Sequence, residues 1–105
     1  MSFQRQEVST PGGTAISAPI QLSNHKGPIG FACIVSGTVS YTLERTMGKP
    51  FNDDGSVNPS APWVADANVT TQSTTKDGFY TGPVAGLRIN QASGTGTVRL
   101  IVLSV

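Results

Sequence analysis

The chain is short of the side chains from which most enzyme chemistry is built. Among 105 residues there is one cysteine, one histidine and one tryptophan, and charged residues make up only 12 %. One cysteine allows no intrachain disulfide, which is compatible with assembly in a reducing cytosol. A zinc site needs three or four ligands, so Cys33 and His25 would have to recruit carboxylates from distant segments. A Ser-His-Asp triad would need His25 as its base, yet His25 lies in the turn from Ser23 to Pro28, and no spacing sets a nucleophile beside it. It reads as a solvated turn histidine. Cys33 sits inside the apolar run from Ile29 to Val35 and reads as a small buried hydrophobe.

Charge of either sign is also thin. Seven Lys or Arg face six Asp or Glu, and the basic residues are scattered from Arg5 to Arg99. A groove that tracks phosphates needs clustered cations, often interleaved with aromatic rings, so no nucleic acid partner is expected. No window approaches the length of a membrane span, and the first seven residues lack the apolar centre of a signal peptide. Neither a membrane partner nor secretion by that route is expected. Asp53-Asp54-Gly55 has the materials of a calcium turn, but residues 56–66 offer only Asp66 as a further carboxylate, short of what an EF-hand loop requires. Paired carboxylates for glycoside hydrolysis would come from Glu44, Asp53, Asp54, Asp66 and Asp77, with an aromatic platform limited to Trp63, Phe79 and Tyr80. The expectation is a protein with no catalytic residue, no cofactor and no metal.

What the chain does have is glycine, serine, threonine and valine, with no segment that repeats apolar residues at helical spacing over three turns. The fold class expected is all-β: a small antiparallel β-sandwich or jelly-roll-like domain with an extended N-terminal arm. Residues 1–14 form the arm, closed by the breaker Thr10-Pro11-Gly12-Gly13, and residues 15–105 form the sandwich. Ala15 to Leu22 reads as a strand whose Pro19 marks an edge or a bulge. Ile29 to Val35 and Thr38 to Arg45 are interior strands, joined at Ser36-Gly37 by either a tight hairpin or a bulge in one long bent strand. Residues 46–62 hold three prolines and two glycines and read as a long loop. Ala67 to Thr71 reads as a short strand, and six to eight strands are expected in all.

The C-terminal stretch is the most informative. Leu87 to Asn90 and Thr97 to Val105 read as a hairpin, and in its second strand Ile101, Leu103 and Val105 share one face while Leu100 and Val102 hold the other. Such a strand asks for cover on both sides, from a loop or from a neighbouring subunit. Trp63, after Pro62, reads first as a plug in one end of the core and second as an interface anchor. Arg88 and Arg99 fall on polar strand faces, as neighbours of each other or of carboxylates. The interface candidates are therefore Phe3 and Val8 in the arm, Trp63, and Arg99, Ile101, Leu103 and Val105 in the last strand.

The order of elements carries a resemblance over roughly residues 30–105. Val35 to Thr46 is followed by a loop with Pro50-Phe51-Asn52-Asp53, then Pro62-Trp63, Lys76-Asp77-Gly78-Phe79-Tyr80, Gly82 to Asn90, and Ser93 to Val98. This pattern of strands and turns resembles a group of small tailed-bacteriophage virion proteins. The resemblance implies a noncatalytic structural subunit that binds the outside of a capsid as a decoration or cement protein. It implies the major capsid protein as partner, a homo-oligomer (dimer or trimer), and a place on the virion after synthesis in the host cytoplasm. A tail, head-tail or fibre-associated role is the competing virion reading. A carbohydrate-binding module using Trp63 with Tyr80 and the 46–62 loop is the reading from another class.

Overall fold

The computed structural model describes residues 4–22, 28–82 and 84–104, so Phe3, His25 and Val105 lie outside the described residues. Every regular element is a strand: β1 (Gln4–Ser9), β2 (Ala15–Ile16), β3 (Ile20–Gln21), β4 (Ile29–Ser36), β5 (Ser40–Thr46), β6 (Trp63–Ala65), β7 (Lys76–Tyr80), β8 (Gly86–Ser93) and β9 (Thr97–Ser104). They form two antiparallel sheets, a front sheet in the order β1-β9-β4-β7 and a back sheet in the order β2-β8-β5-β6 with β3 also on β8. The all-β sandwich is as expected from composition.

The sandwich is one ribbon folded in half. β4 and β9 pair from Ile29↔Ser104 to Ser36↔Thr97 in the front sheet, and the same register reappears at Ser40↔Ser93 where β5 pairs with β8 in the back sheet. Ser36-Gly37 is thus neither a tight hairpin nor a break. It is the bend of a single long strand, with an irregularity at Ser40/Tyr41. The β8–β9 connection bends beside it, which corrects the expected hairpin from 87 to 105: β8 and β9 lie in different sheets and face each other across the interior. The reason is chemical. Both strands carry apolar residues on one face, Leu87 and Ile89 on β8 and Val98, Leu100 and Val102 on β9, and folding at the glycines buries all five, none more than 1 % exposed.

Backbone meets backbone at that bend. Gly37 and Gly94 have φ of +85° and +105°, and a Cβ on Gly94 or Gly96 would lie 2.2 Å from the carbonyl oxygen of Thr38 or Ser36. Only glycine allows that approach. Gly96 N–H donates to Thr38 O at 3.0 Å. The side chain of Gln91, wholly buried, ties the bend to the N-terminal segment. Its amide nitrogen donates to Gly94 O (3.2 Å) and Gly96 O (2.9 Å), and its oxygen accepts from Thr10 Oγ1, which accepts in turn from Val98 N (2.9 Å).

Of the segment expected as an arm, Gln4–Ser9 is strand β1, paired along β9 from Gln4↔Ser104 to Ser9↔Arg99. It crosses to the back sheet at the Gly12-Gly13 bend and continues as β2 and β3 along β8. Pro19 does mark a bulge. Ile16 pairs with Asn90 and Ile20 with Leu87, so three residues oppose two. Ser17 fills the gap, its N–H donating to Ile89 O and its hydroxyl accepting from Ile89 N, both at 2.9 Å. The expected strand at Ala67 to Thr71 is instead a turn capped by Asp66. The Asp66 carboxylate accepts from Asn68 N at 2.8 Å and its carbonyl from Thr70 Oγ1 at 2.6 Å, and the turn stays tied to β5, with Asp66 N donating to Leu43 O (2.8 Å) and Leu43 N to Val69 O (2.9 Å).

The bend generates a test. Gln91→Leu would strip Gly96 O of its side-chain donor and the Thr10 hydroxyl of its acceptor, while Gly94 O keeps Gly13 N (2.8 Å) and Thr10 Oγ1 keeps Val98 N (2.9 Å), at a cost of about 1–3 kcal/mol in urea denaturation. Gly94→Ala, forced against Thr38 by both space and φ, should lose at least as much. A loss under about 1 kcal/mol for either would show that the bend relaxes freely.

Candidate interaction surface

Alternation along the front-sheet strands sorts their side chains into an inner set and an outer set. Inside lie Phe31, Cys33, Val98, Leu100 and Val102, all buried. Outside, the register aligns three rows across the sheet: Arg5-Leu103-Gly30-Phe79, then Glu7-Ile101-Ala32-Asp77, then Ser9-Arg99-Ile34. The β9 column stands up as a ridge of Ile101 and Leu103. The β4 column beside it is nearly bare, because Gly30 and Ala32 have little or no side chain. β7 closes the far side with Phe79. The result is an open furrow of about 250 Å³ floored by Gly30 and Ala32 and flanked by Ile101, Leu103, Asp77 and Gly78.

Two apolar side chains of this face are turned to water: Leu103 is 45 % and Phe79 71 % exposed. Of the two covers expected for the outer face of the last strand, a loop or a neighbouring subunit, the described residues of the chain supply no loop over Leu103. Burying a large apolar side chain in full is worth about 1.5–3 kcal/mol, so covering Ile101, Leu103 and Phe79 together would contribute several kcal/mol to an association. Charges rim the patch. Arg5 Nη2 pairs with Glu7 Oε2 at 2.7 Å, and Arg99 and Asp77 occupy other corners. Arg5 and Glu7 are more than two-fifths exposed, so that pair adds little to stability.

The outer face of the back sheet is built differently. Its centre is a cross-strand ion pair, Arg88 Nε donating to Glu44 Oε1 at 2.6 Å, with less than a fifth of either side chain exposed. Asn90 Nδ2 donates to the second carboxylate oxygen at 3.4 Å, and the Arg88 guanidinium lies 4.3 Å from the centroid of the Trp63 ring. Such stacking shields the pair from water while leaving its hydrogen bonds intact. The segment 47–62 folds back over the rest of this face. Pro50 is buried over Gly86, Gly48 N donates to Thr46 Oγ1 at 3.1 Å, and Phe51 and Val57 bridge to close a small hairpin. The expected long loop is a lid on its own sheet.

Between the sheets at the β6–β7 side, Tyr80 Oη donates to Asp66 Oδ2, and Arg45 lies 5.9 Å from the Tyr80 ring centroid. Burial raises the Tyr80 hydroxyl above its ordinary pKa, and the Asp66 hydrogen bond and charge add to that, against the opposing Arg45. Burial, then the neighbouring Cys33, does the same to Tyr41. Burial above all, with help from Asp66 and against a hydrogen bond from Tyr41, pushes the Cys33 thiol up to about 12, so it is not poised as a nucleophile. Among the described residues no three His, Cys, Asp or Glu gather where they could hold a metal ion.

The structure brings together Arg99, Ile101 and Leu103 from the set expected at an interface. It separates Val8 and Trp63 from them, and Phe3 and Val105 lie outside the described residues. Val8 faces inward and packs on the core, and Trp63 lies on the opposite sheet, where it covers Arg88 instead of plugging the core. Trp63 and Tyr80 do not share a face, since Tyr80 packs inward on Phe31 at 5.4 Å between centroids. Phe79, Gly30 and Ala32 were not picked out from the sequence as parts of a surface. The signal available was the small-large alternation Gly30-Phe31-Ala32-Cys33, which sets a bare row beside an apolar one.

Neither a family model nor a curated protein sequence matches the chain. Its fold is shared. The chain is similar to the SPBc2 prophage-derived protein YomS, with a TM-score of 0.57 at 9 % identity over 99 % of this chain and 96 % of that one. It is also similar to a protein of Bacillus endospore appendages, described as a novel family of disulfide-linked pili, with a TM-score of 0.51 at 11 % identity over 99 % and 87 % of the two chains. At such identities the likeness is one of fold.

Two outcomes check this picture. Leu103→Asp, on the water side, should remain folded with a loss of no more than about 1 kcal/mol, whereas Leu100→Asp on the same strand should unfold the chain. Comparable loss from both would place Leu103 in the core. The second concerns pH. Cys33, Tyr41 and Tyr80 hold their protons more tightly folded than unfolded, so their contribution is complete at neutral pH and is lost as pH rises beyond about 9–10, the range of the free groups. Tyrosinate absorbance of the native protein should stay low at pH 10.5 and rise only with unfolding. Titration of either tyrosine near pH 10 in the folded state would contradict its burial.

Proposed function

We propose that the chain is a noncatalytic structural subunit of a bacteriophage particle, and specifically a decoration protein on the outside of the head that bridges capsid subunits. The observation that carries this reading is the apolar face of the front sheet, where exposed Leu103 and Phe79 flank the bare Gly30 in one row across three strands. A subunit repeated by symmetry multiplies a modest contact over many copies, so a small patch is enough. The reading is supported by the strand-and-turn pattern that resembles tailed-phage virion proteins and by the fold shared along nearly its whole length with a prophage-derived protein.

The second fold relative belongs to pili described as disulfide-linked. That mode of joining needs a reachable thiol, and Cys33 is 0 % exposed and held protonated, which favours noncovalent assembly for this chain. A sugar-binding role using Trp63 and Tyr80 loses its platform, because the two rings lie on different faces and the Trp63 ring is already stacked by Arg88.

The test is the number of copies in purified particles of the source virus, by quantitative mass spectrometry against the major capsid protein. A ratio near one, or a simple fraction of it, is expected for a decoration protein. A handful of copies would move the chain to the tail or connector, and absence from the particle would overturn the reading.

A further inference from the structure

We propose that the occupant of the front-sheet furrow is a second copy of this chain, in a face-to-face pair about a two-fold axis that runs parallel to the strands between β9 and β4. This deepens the structural-subunit reading above and rests on it for the role of the face, but it is tested separately in solution.

The face is complementary to itself about that axis. A half-turn keeps the three rows in place and exchanges columns, setting the β9 ridge of one copy on the β4 furrow of the other. Leu103 then stands over Gly30, Ile101 over Ala32 and Arg99 over Ile34, with the reverse contacts made at the same time. A ridge of two branched side chains beside a column of glycine and alanine is the relief that such a rotation requires. Gly30 leaves room for its visitor, since the nearest atom to a Cβ built there is 3.9 Å away. The same rotation puts β1 opposite β7: Arg5 of one copy comes over Phe79 of the other, and Glu7 comes over Asp77, so that Arg5, already paired with Glu7, is the cation beside two carboxylates.

Charge and size agree. The face carries two cations, Arg5 and Arg99, and two carboxylates, Glu7 and Asp77, and so no net charge, with the Arg5 of each copy left to offset the approach of Glu7 to Asp77. The protein's two long dimensions are 34 and 31 Å, enough for a broad face to offer on the order of the 800 Å² per partner of a standard interface. Aligned packing within about 30° is the ordinary way for two such sheets to stack. The back sheet offers no comparable furrow at its centre, because Trp63 lies on Arg88 and Pro50 on Gly86.

The experiment is sedimentation of the full chain at about 50 µM, above the micromolar constants from which standard-size interfaces start. The wild type should sediment as a two-copy species. Gly30→Val is the decisive variant: it fills the furrow, lies in an ordinary strand conformation with open space around the new side chain, and should give a folded monomer with an unchanged or higher melting temperature. Leu103→Asp, which cuts the ridge, should do the same. A monomeric wild type overturns the proposal, and so does a two-copy species that survives Gly30→Val. A chain that is monomeric in solution yet present in particles at near-capsid copy number would sink this pairing and leave the structural-subunit reading standing.

Discussion

Everything in this molecule depends on a bend at which two paired strands turn together from one sheet into the other. Gly37, Gly94 and Gly96 let backbone touch backbone where a side chain would collide with the facing main chain, a carbonyl oxygen at Gly94 and Gly96 and the Gly96 Cα at Gly37, and Gln91 adds hydrogen bonds to Gly94 O and Gly96 O. Because the bend preserves register, it fixes which residues face inward on both sides at once. A slip of one residue at the corner would turn Leu87, Ile89, Val98, Leu100 and Val102 outward together. The outer segments then follow the ribbon, β1 with β2 and β3 along one edge, β6 and β7 along the other.

That construction leaves two outer faces that differ in a way that matters for association. At the centre of the back sheet the outer residues are mutually satisfied: Glu44 holds Arg88 and Asn90, Trp63 stacks on Arg88, and Pro50 lies on Gly86, with Ile16 exposed at the edge. A partner arriving at that centre would have to displace contacts already made. At the centre of the front sheet the outer residues are Ile101, Leu103, Ala32 and Gly30, with Phe79 beside them and the Arg5–Glu7 ion pair at the rim. The asymmetry comes from chain connectivity. The 47–62 segment leaves the end of β5 and has only the back sheet within easy reach, so one face is roofed and the other is not.

The sequence also carried the chemistry that the protein does without. A single buried thiol, scattered charges and carboxylates spent on turns and ion pairs leave Asp66 and Glu44 as structural groups: one caps a turn and receives the Tyr80 hydroxyl, the other anchors Arg88. In a small two-sheet protein the shape of an outer face is set by the relief of its side chains, and on the front sheet that relief is a ridge beside a furrow.

By itself the sequence determined the all-β class, the apolar face of β5 with Tyr41 and Leu43, an edge or a bulge at Pro19 and the unusual apolar content of the last strand, because each is written in local alternation or in a single residue's backbone preference. It did not determine that Leu87 to Asn90 and Thr97 to Ser104 belong to different sheets, since a glycine-rich turn between two alternating segments is equally the signature of a hairpin and of a sheet-to-sheet bend. Nor did it place Trp63 on Arg88 or set Gly30 between Leu103 and Phe79. Those depend on contacts between residues dozens of positions apart, and only the register across the folded ribbon decides which of them become neighbours.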